Sequence, residues 1–177
     1  MEKHRDRLLL SLSLTGTARQ QRQLEVIERH ASPISERIAA LQEAHRRRLR
    51  TYGMLCPLFP GIADDRATVR ELLLLCCRCD AEEIFVEPVN ARGSGLRLME
   101  EALREAGFDD EATAVGLVRN RRAWSAYCTN LLRTVQQEMG HLGILDKLRF
   151  LLYPTNLQPT DLASVRRDDR GVRWLGK

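Results

Sequence analysis

The chain has 177 residues, of which 44% are hydrophobic and 29% are charged, with a net charge of +4. This length predicts one domain with a hydrophobic core, and no apolar run approaches the roughly 18 residues of a membrane span. The amino-terminal leucines lack a signal-peptide cleavage site and the number of cysteines, five, is odd. We therefore expect a cytoplasmic protein without a disulfide framework.

The first predicted strand covers residues 7–15, where leucines alternate with more polar positions. Its second face carries Ser11, Ser13 and Thr15. These hydroxyls either line a polar mouth at the carboxyl end of the strand or satisfy local backbone groups. The sequence favours neither interpretation.

Two strand–loop–helix units follow. Residues 52–56 form a short apolar segment before a loop with two prolines, and Asp64 or Asp65 then begins a helix. Residues 83–88 predict a third strand, which is followed by a helix between Ser94 and Gly107. Repeated units of this kind predict a parallel α/β fold, in which sites gather at the carboxyl ends of the strands.

The remaining pattern is mostly helical. Ser32 and Pro33 begin a helix that reaches about residue 48, and residues 111–139 form another with a break near Asn120. An apolar stretch covers residues 145–153, and residues 165–175 predict a short hairpin. We divide the chain at residue 110, with a β/α part before it and a helical extension with this terminal hairpin after it.

The cysteines do not predict a metal site. Cys76 and Cys77 continue the apolar face of a helix, so we expect both in the core. Cys76 and Cys79 have a C-x-x-C spacing, but the sequence offers no second pair of ligands to complete a site.

Basic residues cluster at 46–48, 119–122 and 166–167. They predict either a nucleic-acid surface or solvated helix faces. Asn90 and Arg92 follow the third strand, where binding groups collect. Arg92 could hold a carboxylate or phosphate there, or pair with Glu87.

The order of several segments resembles the second half of radical SAM enzymes, in particular spore photoproduct lyase and the related group called DNA repair photolyases. The resemblance covers nearly the whole chain. It rests on Ser13-Leu14-Thr15, residues 27–33, Glu36-Arg37-Ile38, residues 57–64, residues 87–93, Trp124, Tyr127 and residues 152–154.

This resemblance implies a partial TIM barrel, the second half of a (β/α)6 core with about three parallel units and a helical C-terminal extension. It implies S-adenosylmethionine and a 4Fe-4S cluster as cofactors, which generate a 5′-deoxyadenosyl radical that abstracts hydrogen from the substrate. Ser13 or Ser11 would contact the methionine or ribose part. The segment with Pro57, Phe59, Pro60 and Gly61 would pack near the adenine, and Asn90 and Arg92 complete the expected cofactor site.

One departure from the family is decisive. The cluster motif C-x3-C-x2-C is absent from this chain, so an N-terminal half would have to supply the cluster ligands. Arg29 and His30 also stand where the family usually has Pro-Gly. Cys56 and Cys128 are chemically able to relay hydrogen, but a small buried residue is the commoner role of such a cysteine.

Three functions remain open from the sequence. The chain is a truncated or split part of a radical SAM enzyme that is inactive alone, a non-catalytic α/β module that binds nucleic acid, or a degenerate protein that binds a protein partner through an exposed sheet edge.

Overall fold

The computed structural model describes residues 4, 7–90 and 93–176. The strands are β1 Leu9–Leu10, β2 Arg50–Thr51, β3 Gly53–Leu58, β4 Ile84–Pro88, β5 Leu148–Leu152 and β6 Val172–Trp174. The helices are α1 Gln21–Ile27, α2 Ile34–Arg46, α3 Arg66–Arg78, α4 Gly95–Glu105, α5 Asp109–Leu117, α6 Arg121–His141 and α7 Pro159–Arg167. Within these ranges, no helix has the length and apolar character needed to cross a bilayer.

The strands pair in parallel and in the order of the chain. β3, β4, β5 and β6 form a four-stranded sheet in that order. β1 pairs with β2, and a bridge between Ser13 and Met54 continues this pairing along β3. The α/β class and the parallel pairing expected from the sequence are therefore confirmed.

Side-chain caps explain where two of the helices begin. Asp65 accepts hydrogen bonds from the backbone N–H groups of Ala67 and Thr68 at the start of α3. Asn120 accepts from the backbone N–H groups of Arg122 and Ala123 at the start of α6. Each cap satisfies donors that have no partner inside the helix. The predicted break near Asn120 is confirmed, because this cap separates α5 from α6.

The two faces of the sheet differ in burial. Alternate strand residues are buried in the core, among them Leu55, Ile84, Val86, Leu148, Phe150 and Leu152. The residues between them are only half-buried, namely Met54, Cys56, Phe85, Glu87, Arg149 and Leu151. We call the second set the open face. Parallel sheets usually have both faces covered, so the open face is an unusual feature of this fold.

The predicted terminal hairpin is wrong. Val165 lies in α7, and β6 pairs with β5 in parallel rather than folding back in a hairpin. The alternation at Val172 and Trp174 predicts a strand, and β6 confirms it, but α7 returns the chain so that β6 runs in the same direction as β5. The apolar stretch at residues 145–153, for which the sequence predicts no particular element, contains β5, which lies inside the sheet.

Candidate functional site

A largely buried arginine joins the end of the first strand to the two helices that follow it. The Nη1 of Arg37 donates to the backbone oxygen of Ser13 at 2.9 Å, and its Nη2 pairs with Oε2 of Glu28. The side chains of Arg37 and Glu28 are only 10% and 16% exposed. A charged pair with so little exposure to water needs hydrogen bonds from the surrounding protein to offset its desolvation. The structure thus brings together the serine, the glutamate turn and the arginine helix on which the family resemblance rests.

The local sequence explains this arrangement. α1 ends at Ile27, so that Glu28 occupies the position after its last helical residue. Pro33 has an extended backbone and precedes α2, which begins at Ile34 rather than at Pro33 as expected. Arg37 consequently lies in the first turn of α2, on the side of the helix that meets the strand.

A pocket of about 150 Å³ opens beside this ion pair. Its wall contains carboxylates and guanidinium groups, contributed by Glu25, Glu28, Arg29 and Arg37. The Nε of Arg37 is buried and donates no hydrogen bond to any residue that the structure describes. An unused buried donor is energetically costly unless a ligand or water accepts from it. The pocket therefore offers both positive and negative side chains, which suit a zwitterionic ligand with a carboxylate and an ammonium group.

Ser11 and Ser13, which follow β1, lie on the side of the open face. Leu10 lies opposite Thr51 and Ser13 opposite Met54, which places Ser11 and Ser13 on the same side as Met54. The hydroxyl oxygens of Ser11 and Thr15 are buried and have no hydrogen-bond partner within the described ranges. The hydroxyl groups of Ser11 and Thr15 therefore do not form hydrogen bonds with local backbone groups of the described residues, which was one of the two roles considered for them.

The proline loop is mostly packed inside the protein. Phe59 and Pro60 are buried, whereas Pro57 is half-buried and Gly61 is exposed. Gly61 has a φ of 72°, and a Cβ at this position would lie 2.7 Å from the Cβ of Ala114 in α5. Glycine is needed here for both reasons. Pro57 and Gly61 are thus the loop residues with surface to offer a ligand.

A thiol and a carboxyl group lie side by side on the open face. The strand register is irregular directly after the pair of Leu55 with Val86, but the thiol of Cys56 still lies close to Glu87 and interacts with its backbone and its charge, at the carboxyl ends of β3 and β4. Burial raises the pKa of Glu87. Burial, and then the negative charge of Glu87, raise the pKa of Cys56 to about 12. The thiol is therefore protonated at neutral pH. Sequence reasoning missed Glu87 as part of this group, although the alternating burial of β4 could have placed it there.

The other predicted loop residues lie at the same edge of the sheet. Asn90 lines a small cleft at the ends of β4 and β5, together with Glu87 and Tyr153. Arg92 lies outside the described residues, so its predicted contacts with an anion or with Glu87 stay predictions.

Two aromatic residues of α6 hold this edge in place. The Nε1 of Trp124 donates to the backbone oxygen of Val89 at 2.7 Å, and the hydroxyl of Tyr127 donates to the backbone oxygen of Leu58 at 2.6 Å. Both side chains are at least nine-tenths buried. They satisfy carbonyl groups at the ends of β3 and β4 and so fix α6 against the sheet.

The cysteines do not form a cluster site. Cys76, Cys79 and Cys128 are buried, and burial raises the pKa of Cys76 to about 12. The prediction that Cys77 lies in the core is wrong, because Cys77 is exposed at the end of α3. In the part of the chain that the structure describes, no three His, Cys, Asp or Glu side chains are grouped to hold a metal ion. These thiols do not fit a 4Fe-4S cluster, which needs converging thiolates.

The basic clusters are partly neutralised. Arg46 and Arg47 both pair with Glu43, and Arg119 pairs with Glu100. Pairs of this kind are typical of solvated helix faces.

Comparison of the chain with protein-family models, with curated proteins and with solved structures finds no match.

Proposed function

We propose that this chain is the S-adenosylmethionine-binding second half of a radical SAM enzyme that resembles spore photoproduct lyase. The observation that carries the proposal is the contact of Arg37 with Ser13 and Glu28. These residues belong to three separate segments that resemble the radical SAM family. If the similarity of these short segments were due to chance, there would be no reason for the three residues to contact one another. Their position beyond a strand end is where cofactors bind in parallel α/β folds.

The strand order supports the partial barrel that belongs to this proposal. Sequential parallel strands with helical crossovers are the arrangement from which (β/α) barrels are built. A barrel that is incomplete leaves its inward side uncovered, which accounts for the half-buried open face. The strand pairing runs from β1 to β6 without reversal.

The residues at the carboxyl edge fit S-adenosylmethionine. Arg37 and Glu28 would hold its carboxylate and amino groups, because the pocket offers both charges and the unused Nε of Arg37. Ser13 or Ser11 would contact the methionine or ribose part, and Pro57 and Gly61 would lie near the adenine. The bound cofactor supplies the radical chemistry of the family, while these side chains orient it and exclude water.

The cluster has to come from elsewhere, since the cysteines of this chain do not fit it. A separate N-terminal half with the motif C-x3-C-x2-C would supply the ligands and would cover the open face. The chain alone is then expected to bind S-adenosylmethionine without turning it over.

Titration of the chain with S-adenosylmethionine tests the proposal, with the side-chain Nε–H resonance of Arg37 as the reporter. We expect this resonance to shift saturably. Arg37→Lys removes the planar pair of donors and should weaken binding roughly ten- to hundredfold, as expected when a charged hydrogen bond worth about 1.5–3 kcal/mol is lost. Circular dichroism would verify that the variant remains folded.

Arg46→Lys is the matched control, because Arg46 lies on the same helix but is 72% exposed and pairs with Glu43. It should bind as the parent chain does. Absence of any shift at Arg37, or equal weakening by both substitutions, would contradict the proposal.

A further inference from the structure

A second pocket lies between α6 and α7, away from the carboxyl edge of β1. Its volume is about 190 Å³. It is lined by Thr129, Leu132, Arg133, Gln136, Ser164, Val165 and Asp168. Pockets for drug-sized ligands measure about 300–1,000 Å³, so this one suits a smaller molecule. Neither the proposed cofactor site nor the family resemblance uses these residues.

Gln136 provides a fixed hydrogen-bond acceptor in this pocket. The residue is only 7% exposed. Its Nε2 donates to the backbone oxygens of Asp168 and Arg170, at 3.1 and 3.0 Å. Both hydrogens of the amide are thereby used, which fixes the orientation of the group. Its Oε1 accepts no hydrogen bond from the residues that the structure describes, so it remains available to a ligand.

Arg133 and Ser164 provide donors in the same pocket. The Nη2 of Arg133 donates to the Oγ of Ser164 at 2.5 Å, which leaves the hydroxyl hydrogen of Ser164 free to donate. Arg133 makes no ion pair within the described ranges. Asp168, the acidic residue of the lining, is instead paired with Arg170 by two hydrogen bonds, at 2.7 and 2.8 Å. The guanidinium group of Arg133 is therefore the charge that the pocket offers to an anion.

The floor of the pocket is apolar. Leu132 and Val165 are 1% and 3% exposed. The hydroxyl of Thr129 donates to the backbone oxygen of Ser125 at 3.0 Å, within its own helix. A ligand that enters the pocket would rest its carbon chain on this floor, because burial of apolar surface there is favourable.

From this arrangement we propose that the pocket binds a short-chain 2-hydroxycarboxylate. The carboxylate accepts from Arg133 and Ser164, the carbon chain lies on Leu132 and Val165, and the 2-hydroxyl donates to the Oε1 of Gln136. Each group of such a ligand meets a side chain that is already held in position. This inference is independent of the proposed cofactor function.

Titration of the chain with 2-hydroxybutyrate, followed by NMR, tests this proposal. We expect saturable shifts of the two Nε2 hydrogens of Gln136, because a hydrogen bond to Oε1 changes the polarisation of the amide. Butyrate has the same chain and charge but lacks the hydroxyl donor. It should bind roughly two- to tenfold more weakly, as expected for loss of a neutral hydrogen bond worth about 0.5–1.5 kcal/mol.

Variants identify the site of binding. Arg133→Gln should weaken 2-hydroxybutyrate binding by about tenfold or more, since a charged hydrogen bond is lost. Arg122→Gln, on the exposed side of the same helix, is the matched control and should have no effect. No saturable shift, butyrate that binds equally well, or equal loss in both variants would overturn the proposal. Its failure would leave the response of Arg37 to S-adenosylmethionine unaffected.

Discussion

At the scale of single residues, Glu138 shows how a carboxylate is stabilised near the surface of this fold. It is held by two arginines of α3, with the Nε of Arg66 at 2.5 Å and the Nη1 of Arg70 at 2.9 Å. These guanidinium groups cover the carboxylate so that its side chain is only 1% exposed. The hydrogen bond from Arg70, followed by that from Arg66, lowers the pKa of Glu138. The ionised form therefore links α6 to α3.

We expect Glu138→Gln to destabilise the protein by about 1–2 kcal/mol at pH 7, because two charge-assisted hydrogen bonds are weakened. The folded-state pKa is lowered, so the stabilisation is present above the unfolded-state value of about 4.3 and is lost as the pH falls through the folded-state value. Urea unfolding at several pH values would measure it. Glu43→Gln, at an exposed ion pair, should change stability little. The account would be contradicted if the difference in free energy of unfolding between Glu138→Gln and the parent chain became larger at acid pH.

At the scale of secondary-structure elements, the last strand depends on one close approach. Gly171 precedes β6 and has a φ of 77°, and a Cβ there would lie 2.6 Å from the Cβ of Leu148 in β5. The backbone oxygen of Gly171 accepts from the N–H of Phe150 at 2.8 Å. Only glycine fits this turn, because any side chain would meet the neighbouring strand.

Gly171→Ala should therefore cost about 2–4 kcal/mol, the sum of a left-handed backbone and of overpacking against β5. Gly143→Ala is the control, since Gly143 has a φ of 69° but has open space around its Cβ position. It should cost only about 1–2 kcal/mol. Urea unfolding would give both values, and hydrogen exchange at the N–H of Leu175, which bonds to Leu152, would report release of β6. Equal costs for both variants would show that the contact with Leu148 is unimportant.

At the scale of the whole molecule, the cysteines are distributed through the fold instead of meeting at one point. Cys76 and Cys79 are buried at the end of α3, Cys128 is buried in α6, and Cys56 lies on the open face. We expect anaerobic reconstitution with iron and sulfide to leave this chain without a stoichiometric cluster. Iron content and visible absorbance would measure the result.

Addition of an N-terminal half that carries C-x3-C-x2-C should then restore cluster binding, because such a half provides converging thiolates. A half in which those cysteines are replaced by alanine is the control. A stoichiometric cluster on the present chain alone would contradict both the scattered arrangement of its thiols and the proposed division into two halves.

Local patterns predicted much of the fold. The alternation in β4, the Asp65 cap and the break at Asn120 are set by interactions between residues close in sequence. The predicted first strand is too long, because of residues 7–15 only Leu9–Leu10 form a strand and Ser13 forms an isolated bridge. The direction of β6, by contrast, is not set by interactions between residues close in sequence. Its short apolar alternation is compatible with parallel or antiparallel pairing, and the helical return through α7 decides between them.

For the candidate site, local apolar and proline patterns are enough to predict which segments reach the carboxyl edge, since they indicate the strand ends and the loops after them. Which side chains meet there depends on how the chain packs. Arg37 contacts Ser13, and Glu87 lies beside Cys56, across separations that no short-range pattern encodes. The physical reason is that secondary structure follows from local backbone preferences, whereas burial, charge pairing and pKa depend on neighbours that only the packed chain provides.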